Sequence, residues 1–292
     1  MHIYMNQKIV ALGKVGLATL VNLEEIIKYL LTRIVFIIGG DKVSLLPPLC
    51  NERILVVGNG PSAKEIDLEY VSKKGISILC VNYFASQNED FFKIRPKYYC
   101  AIDPFFYSDQ NAASIENEAL INALNKVDWD MTYICLAHQE LPALKNTHIK
   151  MISLNNLEYF GKYWKYTLYS KNKANFGFQN VILAALYFCI TGNAKTVYLC
   201  GVDSDWHREL FVDENNNVYL ESVHFYGVEK VNLTAKGDLK KGEYYKYAGY
   251  YYKTMEEFYY SSQYAAYKKV DVYNLTLNSY IDVFEKISID VL

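Results

Sequence analysis

Several short polar clusters in this chain stand where an apolar run stops. The first is "ILVVGNGPSAKEI" (54–66), in which four apolar, largely β-branched residues end in Gly58-Asn59-Gly60-Pro61-Ser62. Such a run predicts a short buried strand followed by a tight turn. Ser62 is placed to cap a helix starting near Ala63, with Glu65 as its capping-box partner. Strand, glycine turn and helix start together would aim backbone N–H groups and a positive dipole end at a guest above the strand, and phosphate is the natural guest. The stretch matches neither G-x-G-x-x-G nor G-x-x-x-x-G-K-[ST]. Taken alone, it reads equally well as an ordinary strand-to-helix turn.

The other clusters follow later apolar runs. Asn82 ends the second, Asp103 the third, and Gly201-Val202-Asp203-Ser204-Asp205 a fourth, with His207 close behind. His224 lies between Val223 and Phe225, and Asn278 and Ser279 follow the last run. An imidazole with an ordinary pKa near 6.5 suits proton abstraction from a sugar hydroxyl. His224 is therefore read either as a general base or as a hydrogen-bonded structural histidine. The D-x-D of Asp203 and Asp205 is what metal-dependent nucleotide-sugar transferases use to hold Mg²⁺ or Mn²⁺ and a diphosphate. Turn formation after a strand explains the same two aspartates.

For these clusters to meet, the elements between them must form one layered fold. Strand-like runs at 54–58, 76–82, 98–102, 131–136 and 196–202 alternate with helical patterns near 63–73, 112–126 and 176–191. Alternation of this kind predicts an α/β fold, a mostly parallel sheet with helices on both faces. Ligands in such sheets bind at the carboxyl ends of the strands, which is where the clusters stand. Residues 1–50 read as an N-terminal extension, a helix with Leu23, Ile26, Ile27, Leu30 and Leu31 on one side and then a strand over 34–38. That apolar stripe is expected to be core, with docking on a membrane surface or partner as the alternative. A hairpin turn is expected at Asn215–Asn217, a loop or lid over 233–253, a helix near 254–268 and a strand at Val270–Tyr273.

Bulk composition narrows the classes. The 292 residues carry a net charge of −2, with 51% hydrophobic and 21% charged residues, which suits a globular chain with no global attraction to nucleic acid or anionic membrane. Tyrosine is over-represented at 28 residues, fit for sugar or base contacts but equally a bias of the source. Six cysteines without C-x-x-C spacing predict a reducing, cytoplasmic setting. The start "MHIYMNQKIVALGKVG" does not read as a signal peptide, and no window of 18 apolar residues predicts a membrane span.

The stretches "ILVVGNGPSAKEID", "KTVYLCGVDSDW", "SVHFYG" and "DVYNLTLNSYIDVF", in this order, resemble the bacterial sialyltransferases of glycosyltransferase family 42 and related proteins of polysaccharide gene clusters. The likeness spans roughly 52–285. It implies one Rossmann-like catalytic domain over 51–292, a variant of the GT-A arrangement, with a lid at about 206–253. It also implies inverting transfer from a CMP-sugar donor to a glycan or lipid-linked glycan acceptor, with no cofactor and no metal. Carried over by position, Asn59 and Ser62 would hold the cytidine monophosphate and Asn82 its phosphate or ribose, and His224 would be the general base. Gly58, Gly60, Asp103, Asn180, Gly201, Asp203, Asn278 and Ser279 complete the expected donor site. Where the family carries tyrosines that grip the leaving phosphate, this chain has Asp205-Trp206-His207, so His207, Arg208, Tyr219 or a lid tyrosine are the candidates. Where it carries an arginine near the donor carboxylate, this chain reads "KANFGFQN". The resemblance further implies surface-polysaccharide synthesis, and it allows a homo-oligomer and a peripheral place at the inner face of the cytoplasmic membrane.

Three other functions compete. A metal-dependent transferase of nucleotide diphosphate sugars would use Asp203 and Asp205 and lose activity to EDTA. A pterin pyrophosphokinase-like enzyme would release AMP from ATP. A non-catalytic nucleotide-sugar-binding protein would bind without turnover.

Overall fold

The computed structural model describes residues 43–292 except 108–113, 138, 142, 225 and 226, and for 222–229 it describes no side chains. Seven positions nearer the N-terminus are also described, all of them helical: 23, 24, 26, 27, 30, 31 and 34.

The strands form where the apolar runs predict them. They are β1 (Arg53–Val57), β2 (Ser77–Val81), β3 (Tyr98–Cys100), β4 (Met131–Leu136), β5 (Ile149–Leu154), β6 (Thr196–Cys200), β7 (Leu210–Val212), β8 (Val218–His224), β9 (Gly227–Asn232), β10 (Asp271–Asn274) and β11 (Glu285–Lys286). The α-helices are α1 (Leu68–Lys73), α2 (Phe84–Gln87), α3 (Phe91–Ile94), α4 (Ile115–Asn125), α5 (Lys165–Ser170), α6 (Val181–Thr191), α7 (Leu233–Lys236) and α8 (Tyr244–Lys268).

Eight strands make one sheet in the order β11-β10-β6-β1-β2-β3-β4-β5, and each of their pairings is parallel. Strands of such a sheet are covered on both faces, so apolar residues run on without alternation. In β1, Ile54 and Val56 join one core with α6 and with Phe258 and Tyr264 of α8. Leu55 and Val57 join a second core with Leu68 and Val71 of α1 and Leu120 and Leu124 of α4. From β1 the chain builds outward to β5, then crosses back to lay β6 on the other side of β1. The sheet thus changes direction between β1 and β6. At such a switch point the two following loops diverge and leave a crevice.

A three-stranded antiparallel sheet, β7-β8-β9, follows β6. Its hairpin turns at Asn215–Asn217, with Asn216 at φ 59° and the Asp213 carboxylate accepting from the Asn215 and Asn217 amides at 2.9 and 2.8 Å.

Four expectations need correcting. Ser62 caps no helix: Pro61–Glu65 is a single 3-10 turn, and α1 begins at Leu68 behind Asp67, which accepts from the Tyr70 amide at 2.9 Å. The segment expected to be a loop over 233–253 is largely helical, because α8 starts at Tyr244 and Tyr247 and Tyr251 give it an apolar edge against Trp206. β5 was absent from the predicted strands, since its burial mixes exposed and buried positions as befits a sheet edge. The N-terminal stripe is not core: Leu23, Ile26, Ile27, Leu30, Leu31 and Ile34 are each 46–54% exposed. Ile34, expected to open a strand, is helical, and 35–38 lie outside the described residues.

Candidate active site at the switch point

The loops after β1 and β6 touch backbone to backbone. The Gly58 amide donates to the Cys200 carbonyl at 2.8 Å and the Gly60 amide to the Gly201 carbonyl at 2.9 Å. A Cβ on Gly58 would lie 2.3 Å from the Gly201 oxygen, and one on Gly60 would lie 2.0 Å from Asp203 Oδ2. Gly201, at φ +64°, would place its own Cβ 2.6 Å from the Gly58 oxygen. Glycine at these positions is dictated by close approach and, at Gly201, by the left-handed backbone. The consequence for chemistry is that the amides of Gly58 and Gly60 are already spent. The Ala63 amide is spent too, on the Gly60 carbonyl at 3.0 Å. These three amides of the turn after β1 are therefore not on offer to an anion.

Asp203 organises the second loop. Its Oδ2 accepts from the Ser62 hydroxyl at 2.9 Å and the Ser62 amide at 3.4 Å, and its carbonyl accepts from the Tyr280 amide at 2.9 Å. Thr276 Oγ1 accepts from the Val202 amide at 3.2 Å, and the Ser279 hydroxyl donates to the Val202 carbonyl at 2.6 Å. The segment after β10 therefore braces the Gly201–Asp205 loop. Ser279 is a brace, not a cavity-lining group, and Asn278 is exposed.

Between the loops lies a cavity of about 220 Å³ lined by residues that include Gly58, Asn59, Gly60, Asn82, Asn180, Gly201, Asp203, Asp205, Trp206 and Glu209. Asn82 stands at φ 51°, its carbonyl accepting from the Tyr99 phenol, which fixes the side chain at the end of β2. Asn180 caps α6, accepting from the Leu183 amide at 3.1 Å. The side-chain oxygens of Asn59 and Asn82 are buried and lack a hydrogen-bond partner. Buried polar atoms of this kind are rare enough to call for an explanation, and a bound ligand is one. Asp203, Asp205 and Glu209 make the lining acidic, and among the described residues no lysine or arginine lines it.

Asp103 stands apart from this lining. It is exposed and caps its own turn, accepting from the Phe105 amide at 2.9 Å. Tyr219 is stacked on Phe211 in the small sheet at 5.1 Å. His207, next to Trp206, packs its ring against Tyr251 at 4.5 Å and Tyr280 at 4.6 Å, and its Nδ1 is buried without a hydrogen-bond partner. Arg208 donates to the Tyr280 phenol at 3.4 Å. Burial, then the neighbouring Tyr280, Asp205 and Asp282, pushes the Tyr251 phenol above its usual range. Burial beside Glu209 lifts Tyr247 to about 12. Both phenols keep their protons at neutral pH and can donate to an anion. His224 closes β8, paired with Gly227, and its side chain lies outside the described residues.

Sequence reasoning missed Thr276, Tyr280, Trp206 and Glu209, and reached Tyr251 only as one of the lid tyrosines. Tyr247 and Tyr251 carried a usable signal, a spacing of four that puts both on one helix face.

Among the described residues no group of three His, Cys, Asp or Glu is arranged to hold a metal ion, and no helix is long and apolar enough to cross a membrane. No protein-family model matches the chain, and no curated protein matches it. Solved structures do. The sialyltransferase CstII from Campylobacter jejuni, in complex with the substrate analogue CMP-3FNeuAc, is 16% identical and superposes over 81% of this chain and 86% of that one with a TM-score of 0.42. The monofunctional alpha-2,3-sialyltransferase Cst-I from Campylobacter jejuni is 17% identical over 85% and 84% of the two chains, TM-score 0.42. An apo alpha-2,3-sialyltransferase from the same organism is 17% identical over 86% and 85%, TM-score 0.41. A likeness at this level carries no functional weight, and the α/β fold stands on the sheet itself.

Proposed function

We propose that the protein is a glycosyltransferase of sialyltransferase type, moving sialic acid or a related acidic sugar from a CMP donor to a sugar hydroxyl. The observation that carries this reading is the cavity at the β1/β6 switch point, with the unpartnered oxygens of Asn59 and Asn82 in its wall. Both oxygens are acceptors, so they suit the donors of a nucleotide, its ribose hydroxyls or an exocyclic amino group, by hydrogen bonding rather than by ion pairing. Cytidine monophosphate leaves with less charge than a nucleoside diphosphate, so amide, imidazole and phenol donors can stabilise it without a divalent ion. The donors of the His207–Tyr251–Tyr280 cluster are the ones to meet the phosphate, and the carboxylates of Asp205 and Glu209 suit hydroxyl groups. His224 deprotonates the acceptor hydroxyl, which attacks the anomeric carbon opposite the departing CMP. The C–O bond to phosphate breaks as the new glycosidic bond forms, and the proton stays on the imidazole. Surface-polysaccharide synthesis in the cytoplasm, at the inner face of its membrane, is the setting this reaction fits.

One observation favours a second reading. The cavity lining carries three carboxylates, Asp203, Asp205 and Glu209, so a divalent cation with a nucleotide diphosphate sugar would also be accommodated electrostatically. Against it, Asp203 Oδ2 is turned back onto Ser62. Thermal unfolding with CMP, CDP, UDP, GDP and ATP, each with EDTA or Mn²⁺, separates the two. Saturating CMP, at about 100 times its Kd, should stabilise by about 2.7 kcal/mol without metal, a shift of a few degrees. A response confined to UDP or GDP with Mn²⁺ overturns the proposal in favour of the second reading.

A further inference from the structure

One strongly buried carboxylate plays no part in the reaction as proposed. Glu257, in the middle of α8, is 1% exposed. Its Oε2 accepts from the Gln179 backbone amide at 2.7 Å. Its Oε1 is buried with no hydrogen-bond partner and lies 3.6 Å from Lys253 Nζ. Gly177, at φ +99°, packs against the same carboxylate so closely that a Cβ there would lie 2.2 Å from Oε1. The Gly177 amide is tied in turn to Asn175 Oδ1 at 2.7 Å, and Asn175 Nδ2 to the Asn155 carbonyl at 2.7 Å. This held segment runs directly into Asn180, the cap of α6, which with Val181 and Ile182 forms one wall of the cavity. The other wall is touched by the same helix α8, whose Tyr247 and Tyr251 pack on Trp206.

We propose that Glu257 is a positioning residue: by gripping the Gly177–Gln179 backbone it sets where Asn180 and the start of α6 stand in the cavity wall. The inference rests on reading that cavity as a nucleotide site only for its functional consequence, since the grip itself is a feature of the fold. An apolar side chain of the same size would leave the Gln179 amide buried and unpaired. A glutamine would satisfy the amide but would not titrate. The charged groups facing the carboxyl are Lys253 on its own helix and Glu158, whose oxygens take the Lys253 ammonium at 3.0 and 3.1 Å; the 175–180 segment contributes none. Burial pushes the Glu257 carboxyl up to about 7, against the pull of the Gln179 amide and Lys253. The grip therefore changes charge in the physiological range.

The test is amide hydrogen exchange, read by mass spectrometry on peptides covering 176–183, β1 and the small sheet, together with CMP titration, for wild type, Glu257→Gln and Glu257→Ala at pH 6 and 8. Glu257→Ala should exchange 176–183 about 10-fold faster or more, leave β1 protected, and weaken CMP by roughly 10-fold. Glu257→Gln should restore both. After correction for intrinsic exchange, the wild-type segment should change protection with a midpoint near pH 7, and Glu257→Gln should not. Unchanged protection of 176–183 in Glu257→Ala, or equal loss across β1, overturns the proposal. If Glu257→Ala does not fold, the pH dependence in Glu257→Gln decides. Failure of wild type to bind CMP counts against the nucleotide reading alone, because the exchange result stands without ligand.

Discussion

The two sheets of this molecule are held by very different amounts of core. In β1 every residue from Ile54 to Val57 is at 0% exposure, with helices packed on both faces. In β7-β8-β9 the buried cluster consists of Val218 with Leu233 and Leu239 from the chain beyond. The donor-holding candidates Asn59, Asn82 and Asn180 sit at the ends of elements of the large sheet and its helices. His224 sits at the end of β8 in the small one. Stability of local opening follows buried contact, so the small sheet is expected to open more readily than the large one. On the function proposed, this difference is a division of labour: a donor pocket preformed by packing, and His224 delivered as base by a segment with little core of its own.

Substitutions that separate the two regions test this. His224→Ala should have the largest effect, lowering the transfer rate by about 10²–10⁴-fold with CMP affinity unchanged, as steady-state kinetics and calorimetry would report. A parallel loss of CMP affinity would make His224 structural and erase the division. Gly58→Ala forces a Cβ to 2.3 Å from a backbone oxygen, and it should cost about 3 kcal/mol in urea unfolding and abolish CMP binding. Leu233→Ala empties the small core and should destabilise by about 2–3 kcal/mol locally, seen as faster exchange in β8 and β9. It should lower transfer while β1 protection and CMP binding hold. Loss of both would mean the two sheets unfold as one unit.

Two smaller effects sharpen the picture of the large sheet. The Glu257 carboxyl titrates at about 7 instead of its ordinary 4.5, so the folded protein binds more protons than the unfolded chain between those values. Stability contributed by this group therefore falls as pH rises from about 4.5 to about 7 and is flat above. Glu257→Gln should remove that slope, worth at most about 3 kcal/mol, and raise the Tm at pH 8 relative to wild type. Ser62→Ala, which leaves Asp203 Oδ2 without its hydroxyl donor at 2.9 Å, should cost about 1 kcal/mol and loosen the crevice without unfolding it.

The centre of the parallel sheet was legible because β1, β2 and β6 are apolar runs that stop at glycine or asparagine, whereas the edge strands β5 and β11 mix exposed residues into short runs. The crevice was legible in its residues but not in its bonding. "GNGPS" reads locally as a helix start, yet Ser62 is drawn to Asp203, 141 positions away, and Asp67 takes over as cap. A contact of that range leaves no local periodicity to read. Tyr251 and Tyr280 meet His207 only through the packing of α8 and the chain end, so sequence order could offer Tyr219 or an unspecified lid tyrosine but not Tyr280. The N-terminal stripe shows the reverse error: 3.6-residue periodicity identifies a helix face correctly but does not say whether anything covers it.

On the function proposed, the switch-point cavity holds a cytidine monophosphate donor through amide side chains and without metal. Isothermal titration of CMP into the wild-type protein and into Asn59→Ala, both in EDTA, decides this. Wild type should bind saturably at one site, and Asn59→Ala with at least a ten-fold weaker Kd, about 1.4 kcal/mol. Equal affinity in the two proteins, or binding that appears only when Mn²⁺ replaces EDTA, would contradict it.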